Sequence, residues 1–330
     1  MGKGEEVRLL GVDMRKDEKI YVAGHSGLVG SAIVRKLKSS GFNNLVLYSH
    51  EELDLINQQD VTDFFNQAKP AYIFFAAGRV GGINANDNLR GQFIYENLMI
   101  QNNIIHAAHE ANVKKLLFLG SACIYPKNAN QPIKEEYLLT DALEPTNEPY
   151  AIAKITGIKL CESYFRQYGD NFISVMPNNL YGPNDNFDLE TSHVLPALLR
   201  KFHEAKIQNT DFVEVWGSGL PKREFLHVDE LADACVYLMN NLDAKQLYRK
   251  NISHINIGTG EEVTIKELAL MIKDIVGYQG DLKFNSSYPD GMPRKLLDLK
   301  RLSAMGWKSR INLDEGISSL YDWYLTAMVN

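Results

Sequence analysis

The chain has 330 residues, which at about 150 residues per domain allows two domains, or one large α/β domain with an extension. Hydrophobic residues make up 45% and charged residues 23%, enough for a sizeable core without disulfides. A net charge of −6 and a pI near 5.8 argue against a chain that works by coating nucleic acid. No basic amphipathic face and no run of about 18 apolar residues is present, so membrane-surface binding loses ground and no transmembrane helix is expected.

In chain order, Met1 to Lys19 is highly charged and lacks a secretory apolar core. Glu6 stands where a myristoylation signal after Gly2 needs Ser or Thr. Residues 1–19 are therefore expected to be a flexible leader or a non-native start. From there short apolar runs alternate with amphipathic stretches. Ile20–Ala23, Leu45–Tyr48, Tyr72–Ala76, Leu116–Leu119 and Phe172–Met176 read as strands. Val29–Ser40, Asp60–Ala68, Phe93–Ala111 and Tyr150–Tyr168 read as helices. This alternation predicts an α/β fold, a parallel sheet covered on both faces. It spans 20–180 as a Rossmann-type domain.

Beyond residue 180 turn-rich segments interrupt the rhythm, at Tyr181–Asn186, Trp216–Pro221 and Tyr288–Pro293. Helical patterns lie between them, at His193–Ala205, Val228–Asn240, Ile265–Val276 and Leu313–Met328, and a strand at His254–Ile257 is expected to return to the main sheet. Residues 181–330 thus read as a smaller α/β substrate cap. The three cysteines, Cys123, Cys161 and Cys235, are widely spaced without a C-x-x-C pair, which predicts neither disulfides nor a metal site and fits a reducing cytoplasm.

Gly24-His25-Ser26-Gly27-Leu28-Val29-Gly30 follows the first strand and opens the first helix. Glycines let the backbone turn tightly and approach a phosphate, and the helix start offers unpaired N–H groups. The G-x-x-G-x-x-G spacing is that of extended short-chain dehydrogenase/reductases. After the second strand stand Ser49 and His50, with Glu51 and Glu52 following. A hydroxyl and an imidazole there suit the 2′-phosphate of NADP; an acid would suit the ribose of NAD. Tyr150 and Lys154 lie four residues apart on one helical face. A phenol beside an ammonium can deliver a proton to a carbonyl oxygen as hydride arrives, and Ser121 completes a Ser–Tyr–Lys set.

Several longer stretches carry a more specific likeness: Val80–Ile83, Phe118–Pro126, Glu144–Lys154, Asn179–Pro183, Ser192–Pro196, Arg223–His227 and Pro293–Asp298. With them the chain, from about Ile20 to Trp323, resembles the GDP-L-fucose synthase family. These are NADP-dependent enzymes that epimerise GDP-4-keto-6-deoxymannose at C3 and C5 and then reduce C4. The resemblance implies that Ser121, Tyr150 and Lys154 form the reductase set, and that Cys123 and His193 are the epimerisation base and acid. It implies cofactor contacts from the 24–30 loop, Ser49, His50, Leu119, Gly120, Lys154, Pro177, Asn178, Asn179, Leu180 and His193. It implies nucleotide-sugar contacts from Asn179, Lys201, Trp216, Arg223 and Asp290, and a homodimer that uses the helix at Phe93–Ala111.

Two departures bear on the expectation. Ser26 and His50 stand where some bacterial members carry arginines, which predicts only modest preference for NADPH over NADH. Ala122 replaces a second serine. A related branch acts on GDP-linked heptoses with the same fold. Two further rivals are a dehydratase, which wants an acid where Ala122-Cys123 stands, and a non-catalytic dinucleotide sensor, which would have lost the tyrosine or the lysine. Lys201, Arg223, Arg294 and Lys295 are candidates for the diphosphate of an anionic substrate on an acidic chain.

Overall fold

The computed structural model describes residues 13–288 and 290–328. Its first half runs β1 (Ile20–Ala23), α1 (Leu28–Ser39), β2 (Leu45–Val46), α2 (Gln58–Ala68), β3 (Tyr72–Phe75), α3 (Ile83–Asn88), α4 (Arg90–Glu110), β4 (Lys115–Leu119), α5 (Glu148–Tyr168) and β5 (Phe172–Pro177). Then follow β6 (Asn179–Tyr181), α6 (Val194–Gln208), β7 (Phe212–Trp216), β8 (Lys222–Arg223), β9 (Phe225–His227), α7 (Val228–Asn241), α8 (Ala244–Tyr248) and β10 (Ile255–Ile257). The last part holds β11 (Val263–Thr264), α9 (Ile265–Val276), β12 (Asp281–Asn285), β13 (Arg294–Lys295), α10 (Lys300–Ala304) and α11 (Leu313–Ala327).

The central sheet is parallel throughout, in the order β10-β5-β4-β3-β1-β2. Its strands other than the edge strand β2 are buried on both faces, and successive residues feed different cores. Ile20, Val22, Leu117, Leu119, Ile173 and Val175 point to the side covered by α1 and α7. Tyr21, Ala23, Leu116, Phe118, Phe172 and Met176 point to the side of α2, α4 and α5. The chain leaves β1 for β2 on one flank and returns to β3 on the other. That reversal opens a crevice at the carboxyl ends of the strands, where open α/β sheets bind ligands. The residues aligned at that edge, Ala23 with Phe75, Phe75 with Phe118 and Leu119 with Val175, fix which loops line it.

β10 enters this sheet beside β5, as the His254–Ile257 pattern predicts. The cap has its own core of α6, α9 and α11 over β7, including Leu199, Phe202, Val215, Leu268, Ile272 and Leu320. Helix α9 shows why the local sequence specifies it. Thr264 and Glu267 form a capping box, with Glu267 N donating to Thr264 Oγ1 at 3.0 Å and Thr264 N to Glu267 Oε2 at 2.7 Å. Gly277, at φ +74°, ends it in a left-handed turn.

The leader expectation is corrected in its last part. Met14 is buried in the core against the sheet, its N–H donates to Asn240 Oδ1 at 2.9 Å, and Glu18 pairs with Lys114. An apolar side chain amid charges was enough to anchor the segment. Residues 1–12 lie outside the described residues. Several boundaries also move by one to three residues; among them, α4 begins at Arg90 rather than Phe93, and β2 stops at Val46 because this edge strand pairs only with β1.

Helix α5 approaches the sheet most closely at Gly157. A Cβ there would collide with the Phe118 ring and lie 2.9 Å from Gln101 Oε1, whose amide nitrogen donates to Ala153 O at 2.7 Å. We expect Gly157→Ala to destabilise the fold by about 1–3 kcal/mol through overpacking. Urea unfolding checks this: the midpoint should fall at unchanged slope. An unchanged midpoint would mean that α5 can lift off the sheet at no cost.

Candidate active site

The 24–30 loop is shaped by what its glycines omit. Gly24 has φ +77°, and a side chain on Gly30 would run into the Gly24 carbonyl. Gly27 caps α1 with no side-chain hydrogen bond, which leaves the first-turn N–H groups facing the crevice. The Nδ1 of His25 is buried without a hydrogen-bond partner. An uncapped helix start, a close-packed glycine turn and an orphaned polar atom fit the diphosphate of a dinucleotide. In the segment after β2, Ser49 is committed locally: its N–H donates to Glu52 Oε2 at 2.8 Å. His50 is exposed.

Beyond β4 the chain turns tightly through Ala122–Ile124 and presents Cys123. Tyr125 anchors this turn from below, with its hydroxyl 2.6 Å from His254 Nε2 and bonded to Asn256 Oδ1. The Ser121 hydroxyl favours the ionised form of both the Tyr150 phenol and the Cys123 thiol, which share its side of the cleft. Lys154, one turn along α5 from Tyr150, is buried and donates to Leu119 O at 2.9 Å. Its Nζ lies 5.8 Å from the Tyr150 ring centroid, and Phe93 packs edge-on against that ring.

Burial shifts both the Tyr150 phenol and the Lys154 ammonium toward their neutral forms. Burial first and the Cys123 sulfur second push the Tyr150 phenol well above its ordinary range, with the Ser121 hydroxyl opposing. Burial also lowers the Lys154 ammonium to about 8. The thiol of Cys123 is raised by burial and pulled back chiefly by the Lys295 ammonium. His193 lies below the ordinary imidazole value, through desolvation first and Lys295 second.

His193 precedes α6 and faces the open cleft. The 80–83 segment meets it there, with Gly82 N donating to Thr191 O at 3.1 Å. The cap supplies Arg223 on β8, paired in register with Lys295 on β13. Asn179 Nδ2 donates to Glu224 O at 2.8 Å and Asn178 Nδ2 to Glu224 Oε2 at 2.6 Å. Farther out, Lys201 Nζ lies 4.4 Å from the Trp216 ring centroid, and Trp216 stacks on Tyr288 at 4.4 Å. Asp290 accepts from Ser218 N at 2.6 Å and Ser218 Oγ at 2.7 Å. Of the diphosphate candidates, Arg294 points away, to Glu262 at 2.7 Å. Leu119, Gly120, Pro177 and Leu180 line the strand ends between the two halves. Cys161 and Cys235 are fully buried core residues. Glu224 was overlooked by sequence reasoning although it sits inside the Arg223–His227 stretch; an acid between a cation and an apolar strand was the available signal.

A family model described as the NAD dependent epimerase/dehydratase family matches residues 20–258. The chain is 58% identical over 315 residues to GDP-L-fucose synthase 1 of Arabidopsis thaliana, covering 96% of this chain and 95% of that protein. It is 55% identical over 312 residues to GDP-L-fucose synthase of Escherichia coli K12, covering 93% and 97%. A solved GDP-mannoheptose C4 reductase from Campylobacter jejuni with NADP bound matches at a TM-score of 0.87 and 49% identity, covering 94% of this chain and 99% of that one.

The buried Lys154 ammonium yields a pH test. Its value falls from 10.5 in the open chain to about 8 in the fold, so below pH 8 the folded protein carries the full burden of the buried charge. That burden is roughly 3 kcal/mol and fades as pH rises from 8 to 10.5. Lys154→Met should therefore gain stability over the parent at neutral pH, less the lost bond to Leu119 O. The gain should shrink as the pH rises through that window. Urea unfolding at pH 7 and pH 10 reads it; a gap that is constant or grows with pH contradicts the assignment.

Proposed function

The chain belongs to the NAD dependent epimerase/dehydratase family, and from that membership we propose that it converts GDP-4-keto-6-deoxy-D-mannose to GDP-L-fucose with NADPH. The observation that carries this is Tyr150 with the Lys154 Nζ 5.8 Å from its ring centroid, and with Ser121 and Cys123 of the adjoining turn acting electrostatically on that phenol. Proton donor for the ketone and base for its neighbouring carbons therefore share one cleft.

The loop from Gly24 to Gly30 would hold the NADPH diphosphate on the start of α1, with Lys154 reaching toward the cofactor from α5. NADPH supplies the hydride for C4. A ketone at C4 acidifies the hydrogens on both C3 and C5, so one base and one acid on opposite faces can invert both centres. Cys123 takes the proton, His193 returns one from the other face, and Ser121 and Tyr150 donate hydrogen bonds to the C4 oxygen while it carries charge. Tyr150 then gives its own proton to that oxygen as the ketone is reduced. Burial keeps the phenol protonated, which is the state a donor needs.

Lys201 and Arg223 are held below their ordinary values by burial, which suits cations awaiting a diphosphate. Asn179, Trp216 and Asp290 complete the nucleotide-sugar side of this reading. Exposed Leu89, Tyr95, Ile152 and Tyr168 on or beside α4 and α5 support a homodimer through that helix pair. Among the described residues no helix is long and apolar enough to cross a membrane, and we place the enzyme in the cytoplasm. The similarity to the Campylobacter reductase favours one second reading, reduction of a GDP-4-keto-heptose without epimerisation.

Turnover of GDP-4-keto-6-deoxymannose in D₂O separates these readings. We expect solvent deuterium at C3 and C5 of the product and hydride from NADPH at C4. Product without solvent deuterium would leave a simple reductase. Tyr150→Phe should slow reduction by about 10²–10⁴-fold while leaving NADPH affinity nearly intact. Cys123→Ser and His193→Gln should slow deuterium incorporation more than they weaken NADPH binding.

A further inference from the structure

The turn that carries Cys123 is fastened at both ends. Upstream, Gly120 N donates to Val175 O at 2.9 Å and continues the β4–β5 ladder, and Ile124 N donates to Ser121 O at 3.2 Å. Downstream, two residues past the cysteine, the buried Tyr125 reaches across β5 to the edge strand β10. Its hydroxyl meets His254 Nε2 at 2.6 Å and also Asn256 Oδ1. Ile255 and Ile257 face the core under α1 and α7, so His254 and Asn256 share the opposite face of the chain at β10, and both are fully buried.

One arrangement of hydrogens satisfies every group in this cluster. Asn256 Nδ2 lies 3.0 Å from Ile133 O and 3.2 Å from Asp298 O, two carbonyls that can only accept. The amide nitrogen therefore belongs on that side, and Oδ1 faces Tyr125. Oδ1 can only accept, so it takes the single phenolic hydrogen. Tyr125 Oη then offers only lone pairs to His254, and Nε2 must donate to it. Burial first, then the Lys159 and Arg301 charges, outweigh Glu136 and hold His254 down to about 3, so the ring is neutral with one hydrogen. With that hydrogen on Nε2, Nδ1 is an acceptor, and Ser253 Oγ donates to it at 2.8 Å. The other tautomer would set two lone pairs against each other across the 2.6 Å contact.

We propose that Tyr125, His254 and Asn256 are positioning residues for Cys123, and that they hold it only with His254 as the neutral Nε2–H tautomer. The inference rests on the epimerase reading above. Through one amide, Asn256 joins the turn after β4, the 131–135 stretch and, at Asp298, the chain leaving β13. β13 in turn runs in register with Arg223 on β8. The cluster thus ties the proposed base to the strands that carry the cap cations. One base has to meet both C3 and C5 of a single ring, and a misplacement of about 1 Å can cost about 10²-fold in rate. A turn held by the sheet ladder at one end and by a saturated hydrogen-bond chain at the other keeps that tolerance.

Long-range ¹H–¹⁵N NMR of [¹⁵N]histidine-labelled enzyme loaded with NADP⁺ reads the tautomer, with the His254 signals assigned by their loss in His254→Gln. Nε2 should show the shift of a protonated ring nitrogen and Nδ1 that of a bare one, with no titration between about pH 5 and 9. A hydrogen on Nδ1, or a ring that titrates in that range, overturns the proposal. Tyr125→Phe then tests the positioning. In [¹³Cβ]cysteine-labelled enzyme the Cys123 signal, assigned by its loss in Cys123→Ser, should move or split while those of Cys161 and Cys235 stay in place. Deuterium entry at C3 and C5 at saturating substrate should fall about 10- to 10²-fold, with KM changed by less than about twofold. His254→Gln keeps an N–H donor within reach of Tyr125 and should exchange within about threefold of the parent, whereas His254→Leu should match Tyr125→Phe. Parental exchange in Tyr125→Phe, or a loss confined to KM, overturns the positioning role. So do three cysteine signals that move together, which would mark a general loosening of the core. If Tyr125→Phe fails to fold, His254→Leu is compared with His254→Gln by the same readouts, and the tautomer is read on the parent in any case. A parent that exchanges no deuterium sinks the epimerase reading; the tautomer and the Cys123 signal, read without sugar, still decide whether this cluster holds the turn.

Discussion

Glu224 is fully buried without a cationic partner among the described residues, yet four donors from three segments converge on its carboxylate. Asn178 Nδ2 reaches it at 2.6 Å, Leu297 N at 3.2 Å, Thr259 N at 2.8 Å and Gly260 N at 2.7 Å. Gly258 must lack a side chain because a Cβ would strike the carboxylate. Burial raises this acid, and these hydrogen bonds oppose that shift. Each charge-assisted bond is worth on the order of 1.5–3 kcal/mol, and an apolar side chain here would orphan all four donors at once. The segments it joins follow β5, β10 and β13, so this carboxylate fastens the cap to the edge of the sheet. Arg223 precedes it in the chain, Asn179 bonds its carbonyl, and Lys295 is held through Asn178. The placement of Asn178, Asn179, Arg223 and Lys295 about the cleft descends from that junction.

Desolvation then sorts the proton inventory of the cleft. It favours the neutral form of every group, but the consequence differs by residue. For Tyr150 it preserves a donor, whereas for Lys154, Lys201, Arg223 and Lys295 it weakens cations that make no ion pair among the described residues. Such cations gain most when an anion arrives, because the partner removes the penalty that burial imposes. Cys123 is the exception, where burial opposes the role proposed for it while Lys295 and Lys154 act against that shift.

The sheet was legible in the sequence because buried parallel strands are short apolar runs and their helices have a strong period. Ile20–Ala23 and Ile265–Val276 came out to the residue, being bounded by the Gly24 turn, the Thr264 cap and the Gly277 stop. The glycine turn from Gly24 to Gly30 was legible too: Gly24 sits at φ +77° and Gly30 packs against the Gly24 carbonyl. What stayed hidden was tertiary. Met14 looked like part of a charged leader because nothing local announces the Asn240 contact. Glu224 carries no sequence signal for its four donors, since they come from residues 178 to 297. Arg294 and Lys295 look alike in sequence, and only strand alternation with Glu262 as a neighbour tells the outward one from the inward one.

The two halves of the cleft are prepared for ligands by opposite means. On the sheet side, preparation consists of bonds left unmade: α1 begins without a side-chain cap, and His25 Nδ1 has no partner. On the cap side, the groups bond one another. Asp290 holds the turn at Ser218, whose neighbour Gly217 sits at φ +86° and leaves the room that the carboxylate fills. Each carboxylate oxygen has a second acceptor position, so Asp290 can fix this turn and still accept from a ligand N–H. Trp216 remains 46% exposed although it stacks on Tyr288 and carries Lys201 near its ring. An indole rigidified in this way loses little further freedom when a planar base meets it. A diphosphate has fixed charge and rewards unsatisfied donors; a base is bound by area and orientation and rewards rigidity. The division follows the chemistry of the two ends of a nucleotide.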